Sequence, residues 1–275
     1  MKTFFKRTFS TILLLSLLAG SIFCPAGIAK TIFALLVILL SYFAVREFTV
    51  ILKQSGNPAD TVLTPIITAL TAVFALPGLY IYCFIMAGIF AVQNWALFLT
   101  SENREMPMRR ILNSSAAYLM FCIPIVMMVW IYNIDPFLFL YLIIVTKISD
   151  IGAYVTGTVS NAVTKGGNHK MIPQISPGKS YEGAVGGIVC AVAASLILWH
   201  WTGLEASFWL PLLGGVILFF GSMAGDLAES AFKRTCGVKD SGSLLPGIGG
   251  IFDLVDSMLI NSVLFFFFLY FTGPA

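Results

Sequence analysis

GDLAESAFKRTCGVKDSGSLLPGIGGIFDLVDS, residues 225–257, lies between two long apolar runs and holds five of the chain's 13 carboxylates. These are Asp226, Glu229, Asp240, Asp253 and Asp256; Lys233, Arg234 and Lys239 are interleaved with them, and a Pro-Gly-Ile-Gly-Gly turn follows. A lipid-soluble chain carries charges sparingly, so charges of both signs gathered at the end of a span point to a site. The chemistry they suit is that of a metal and phosphates at the membrane surface. The plainer reading is a solvated loop whose acids decorate helix ends.

The rest of the chain supports a membrane setting. Of 275 residues, 58% are hydrophobic and 11% charged, with mean hydropathy +0.92. Soluble domains carry roughly 25% charged residues. No polar stretch is long enough to bury its own core, so the expected fold is an all-α polytopic transmembrane helix bundle of about nine spans. The spans are expected near residues 9–23, 31–45, 61–76, 79–99, 111–132, 136–155, 183–201, 208–224 and 251–271. The first is read as a transmembrane helix in preference to the alternative, a signal peptide cleaved near Ala29 with Lys2, Lys6 and Arg7 as its basic start. Residues 1–110 form an amino-terminal group of helices, and residues 111–275 the group that carries the motifs.

Loop charges orient this bundle. On the nine-span reading, 14 of the 16 Lys and Arg residues fall on one side, with Lys30 opposite and Lys147 inside a span. The positive-inside rule makes the charged side cytoplasmic, in the cell (inner) membrane. Inside the sixth span, Lys147 and Asp150 stand three apart on one helix face. They make either an internally neutral ion pair or part of a watery site.

A second motif, SPGKSYEGAVGG, spans residues 176–187. Lys179 and Ser180 look like the tail of a phosphate-binding P-loop. The glycine that motif needs is absent, since position 173 is Pro, and no strand precedes it. A P-loop nucleotidase is excluded. A lysine and hydroxyls at a helix entrance remain, where backbone N–H groups receive phosphate.

Together the two motifs resemble those of the phosphatidate cytidylyltransferase (CDP-diacylglycerol synthase) family. That family has Thr-Trp-Glu-Gly where this chain has Ser180-Tyr181-Glu182-Gly183. Its longer motif is matched by Ser230, Lys233, Arg234, Lys239, Asp240, Pro246, Gly247, Gly249, Gly250, Asp253 and Asp256. Two positions depart, Ile248 standing for a His and Leu254 for an Arg. The resemblance covers roughly the last 130 residues.

The resemblance implies that CTP and phosphatidate give CDP-diacylglycerol and pyrophosphate with Mg²⁺. It also implies Asp226 and Asp253 as metal ligands, with Asp256 close by, and Lys239 and Asp240 within the catalytic motif. Ser176, Lys179, Ser180, Glu182, Ser230, Lys233, Arg234, Gly249 and Gly250 would then bind substrate. The residue types fit. Mg²⁺ is held by one or two carboxylates plus substrate phosphates, and Asp226/Glu229 and Asp253/Asp256 each put two acids on one helix face. Lys179, Lys233, Arg234 and Lys239 suit phosphate charge. No general base is needed, because a phosphate monoester with a second pKa of about 6 is already an anion.

The partners implied are CTP and bilayer phosphatidate, with a second copy of the chain left open; nucleic acid is not among them. The five cysteines form no CxxC pair and read as packing residues, without zinc or disulfides. Three other readings stay open: a cytidylyltransferase for another lipid phosphate, an ion-coupled transporter built on Lys147 and Asp150, and an inactive relative.

Overall fold

The computed structural model describes residues 2–100, 105–164, 167–200, 208–245 and 249–273. Within them the chain forms nine helices and one short hairpin. The helices are α1 (Lys2–Phe23), α2 (Ala26–Gln54), α3 (Leu63–Ala75), α4 (Tyr80–Thr100), α5 (Glu105–Ile134), α6 (Pro136–Val163), α7 (Tyr181–Trp199), α8 (Trp209–Thr235) and α9 (Phe252–Thr272). The fold is the expected all-α polytopic membrane bundle. Six helices (α2 and α5 to α9) are long and apolar enough to cross a membrane. Shorter apolar segments lie in α1, α3 and α4. At 13 residues, α3 rises about 20 Å, less than the roughly 30 Å of a hydrocarbon core.

Helix ends follow local chemistry more than they follow hydropathy. The second span was expected to stop at Arg46-Glu47, yet α2 runs on to Gln54. It ends where Gly56 adopts φ 84° and the amides of Gly56 and Asn57 turn back to Lys53 and Leu52 carbonyls. A helix leaving the apolar layer keeps its internal hydrogen bonds until a left-handed residue breaks them. In the same way α8 passes the expected end near residue 224 and stops before Gly237, which has φ 71°. Asp226, Glu229, Ser230, Lys233 and Arg234 are therefore helical residues within the last three turns of α8. The polar stretch after α6, where no strand was expected ahead of α7, contains β1 (Lys170–Ile172) and β2 (Ser176–Ser180), paired antiparallel. At α7, Ser180 accepts the Gly183 amide at 3.1 Å as an N-cap.

The chain divides into two compact units. The first comprises residues 1–133 and 235–255, and the second residues 134–234 and 256–275. In the first, Phe33 stacks on Tyr132 at 3.6 Å, and the Tyr132 hydroxyl donates to the Ser21 carbonyl at 2.6 Å. Asp60, almost fully buried, accepts the amides of Val62 and Leu63 and pairs with Arg110 at 3.2 Å. It thereby starts α3 and ties it to α5.

The second unit is built on close backbone approach. Gly183, Gly187 and Ala191 recur every fourth residue along α7 and are buried. A Cβ on Gly183 would lie 2.8 Å from the Ala153 carbonyl oxygen, and one on Gly187 3.1 Å from the Ala153 Cβ and 3.2 Å from the Ser149 carbonyl. Small residues at this spacing allow helices to pack without a hydrophobic drive, which lipid does not supply. Across α8 and α9, the fully buried Asn261 donates its amide to Thr146 and to the Leu218 carbonyl at 2.8 and 2.9 Å.

Candidate functional site

Two groups of motif residues emerge, one in each unit. In the second unit, the β-hairpin carries Lys179 to the wall of a cavity of about 260 Å³. Asp150, Ser176, Gly178, Ser180, Met223 and Asp226 line it as well. Lys179 Nζ donates to Asp226 Oδ2 at 2.9 Å. The two side chains are only 21% and 33% exposed, so this pair is partly shielded from water and stronger than a surface pair.

Asp226 has two acidic neighbours. Both Asp150, from α6, and Asp256, from α9, feel its charge and that of Lys147. Lys147 and Asp150 form the ion pair read from the sequence, at 3.7 Å. Ser222 donates its hydroxyl to Asp150. Ser257, fully buried, receives Lys147 Nζ at 3.3 Å, and its hydroxyl stands 3.1 Å from Asp256 and 3.5 Å from Asp150. The close pass of α8 over α9 makes this possible: a Cβ on Gly225 would lie 2.6 Å from Ser257 Cα. The result is three aspartates from three helices, bridged by two lysines and two serines. Asp150 was legible only as a buried charge; Ser222 and Ser257 carried no sequence signal.

In the first unit, Asp253 sits in the first turn of α9. It accepts the Gly250 amide at 2.9 Å and the Ser241 amide at 3.3 Å. Its own amide donates to the Ser241 hydroxyl at 3.3 Å. Gly249 has φ 127°, a conformation other residues rarely adopt, and a Cβ there would lie 2.7 Å from Asp253 Oδ2. These glycines therefore bring backbone donors onto the Asp253 carboxylate. Lys239 and Asp240 lie exposed on the segment leading to Ser241, and Leu254 is partly exposed beside Asp253. Pro246, Gly247 and Ile248 fall outside the described residues.

The remaining motif residues have defined places in the second unit. Lys233 pairs with Glu229, one turn earlier on α8, at 2.7 Å. Ser230 is half-buried and Arg234 exposed on the same helix. Glu182, in the first turn of α7, receives the His169 amide and pairs with its ring Nδ1 at 2.7 Å, which ties the hairpin to the helix it precedes. Among the described residues, no three His, Cys, Asp or Glu side chains form a ready-made metal cage. The carboxylates that do gather are hard oxygen donors, which Mg²⁺ prefers in ones and twos alongside phosphate oxygens.

Comparison with known proteins adds the family context. Residues 5–272 match the cytidylyltransferase family. The phosphatidate cytidylyltransferase of Staphylococcus haemolyticus (strain JCSC1435) is 42% identical over 120 residues, 44% of either chain. That of Haemophilus influenzae is 40% identical over 148 residues, 51% of this chain and 49% of the relative. The uncharacterized protein YnbB of Escherichia coli (strain K12) is 39% identical over 136 residues, 48% of this chain and 42% of YnbB. Each of these matches spans about half of the relative's length.

Proposed function

From the premise that this multi-pass membrane chain belongs to the cytidylyltransferase family, we infer that it transfers a cytidylyl group from CTP to phosphatidate, giving CDP-diacylglycerol and pyrophosphate. The Lys179–Asp226 pair at the cavity, with Asp150 and Asp256 as its electrostatic neighbours, is the observation that carries this reading. It unites the two motifs on one set of acids and one phosphate-seeking cation. The relatives' names favour phosphatidate as the acceptor.

In the reaction, a phosphate oxygen of the lipid attacks the α-phosphorus of CTP. The new P–O–P bond forms as the α–β bridging bond breaks, and pyrophosphate leaves with the electron pair. The attacking phosphate is already anionic, so the chain has no proton to remove. What the chain must do is hold like charges together. Lys179 pairs with Asp226; an incoming triphosphate competes for that ammonium, freeing the carboxylate as it binds.

Asp226 and Asp256 would hold Mg²⁺ in the second unit; for Asp253 a ligand role is what the family pattern implies. When bound, the ion neutralises charge on the phosphoryl oxygens. Lys233, Arg234 and Lys239 add cations for the phosphates, and Ser176 and Ser180 add hydroxyls. The 14 of 16 basic residues that the nine-span reading puts on one side support a cytoplasmic site, where CTP is made, in the inner membrane of a bacterial cell.

The test is purified protein with labelled CTP, Mg²⁺ and phosphatidate in detergent, with isoprenoid phosphate as a second acceptor. CDP-diacylglycerol and pyrophosphate in equal amounts are expected. Transfer to the isoprenoid alone, or to neither, would sink the proposal.

A further inference from the structure

Glu47 is a carboxylate about two turns before the end of helix α2, next to Arg46 and far in sequence from either motif. Its Oε2 accepts the backbone amide of Phe252 at 2.9 Å and stands 3.4 Å from the Ser241 hydroxyl. Phe252 is the first residue of α9, so its amide is one of the donors that a helix start leaves without an internal partner. A carboxylate there satisfies that donor and meets the positive end of the helix dipole.

Two glycines make room for it. A Cβ on Gly242 would lie 2.8 Å from Glu47 Cδ, and one on Gly250 2.9 Å from the same atom. The next residue along α2 grips the same target: the Phe48 ring meets the Phe252 ring edge-on at 5.5 Å, and both meet Phe121 at 5.5 Å. All of these residues belong to one compact unit.

The contacts form a chain that ends on a motif acid. Ser241 has one hydroxyl proton and accepts elsewhere. Donating to Glu47, it is left to accept the Asp253 amide, while its own amide reaches the Asp253 carboxylate. Gly250, packed against Glu47, donates to Asp253 at 2.9 Å. The Ser241 and Gly250 amides that donate to Asp253 both come from residues packed against Glu47.

We propose that Glu47 is a positioning residue, fixing Ser241, Gly250 and Phe252 so that Asp253 is presented in one orientation for cytidylyl transfer. The catalytic half of this statement rests on the function inferred above; the holding role does not.

Reach and charge can be separated by substitution. Glu47→Gln keeps the length and one acceptor oxygen. Glu47→Asp keeps the charge but falls a methylene short, and Glu47→Ala keeps neither. The purified variants are compared by kcat and KM for CTP and phosphatidate, by thermal unfolding, and by amide hydrogen exchange at Ser241 and Phe252.

Expected for Gln is a kcat within about threefold of wild type. For Asp and Ala, kcat falls about 10- to 100-fold, as a misplacement near 1 Å produces, with both KM values within about threefold. Exchange at Ser241 and Phe252 rises about tenfold or more in Asp and Ala, because a hydrogen bond to a charged acceptor is lost. If Asp is as active as wild type while Gln matches Ala, the charge acts directly on metal or substrate and positioning is overturned. If melting falls and exchange rises evenly through the unit while kcat per folded molecule holds, Glu47 is only a structural tie and the proposal is again wrong. Should wild type make no CDP-lipid, the functional reading falls, and exchange still decides: a rise confined to Ser241 and Phe252 upholds the holding role, and no rise refutes it.

Discussion

Replacing Gly225 by alanine tests whether the close pass of α8 over α9 sets the site. The new Cβ would lie 2.6 Å from Ser257 Cα and 2.8 Å from the Asp256 carbonyl oxygen. Carbon atoms rest at about 3.5–4.0 Å from one another, so the two backbones must part locally by about 1 Å. Overpacking of this kind costs about 1–3 kcal/mol in stability. The larger effect should be on turnover, because Gly225 adjoins Asp226 and its contacts are Asp256 and Ser257. A displacement near 1 Å between cooperating groups costs on the order of 10²-fold in rate. The assay is CDP-diacylglycerol formation beside thermal unfolding, with Gly88→Ala as the companion. Gly88 has nothing within 4 Å of its would-be Cβ, so that variant should keep its rate and gain up to about 1 kcal/mol from helix propensity. A Gly225→Ala protein with the wild-type rate would refute the claim that this approach positions the acids.

Asp253→Asn should abolish nearly all transfer while the protein stays folded, since the amide keeps shape but loses the ligand charge; Asp135→Asn should be silent, because Asn caps α6 as well as Asp does. Equal rates for these two variants in the CDP-lipid assay would make Asp253 a structural acid only. Leu254→Arg, restoring the cation that the family places beside Asp253, should leave the rate equal or raise it about tenfold, the value of a charge-assisted hydrogen bond near 1.5 kcal/mol; a clear fall in kcat would count against that placement. A cysteine at the exposed hairpin residue Gln174 should resist impermeant thiol reagents added to intact cells, and ready labelling would reverse the proposed orientation.

The sequence and the structure agree where local chemistry is decisive. Apolar runs of span length became α5 to α9 because hydrocarbon forces each backbone to satisfy itself. Lys147 and Asp150 paired because their spacing allows nothing simpler. Helix ends were misjudged for the converse reason. Hydropathy marks where the apolar layer stops, whereas the helices stop at Gly56 and before Gly237, which take left-handed conformations. The hairpin was hidden because strands of three and five residues give too short an alternation to register. Glu47 and Ser241, 194 positions apart, could be linked only by tertiary structure, and so could Asp150 and Ser222.

The three aspartates around Lys147 and Lys179 come from α6, α8 and α9, and their order along the chain matters while the protein is being made. Lys147 leaves the ribosome just ahead of Asp150, with which it pairs, and Lys179 well ahead of Asp226, with which it pairs. Asp150 and Asp226 therefore each enter the membrane after their base, and neither is offered to bilayer lipid as an uncompensated anion, which is costly to insert. Only Asp256, the last to emerge, tips the formal charge of the five to minus one. A nascent chain is thus neutral or cationic here until α9 arrives, and the surplus negative charge that would draw a metal ion appears only then.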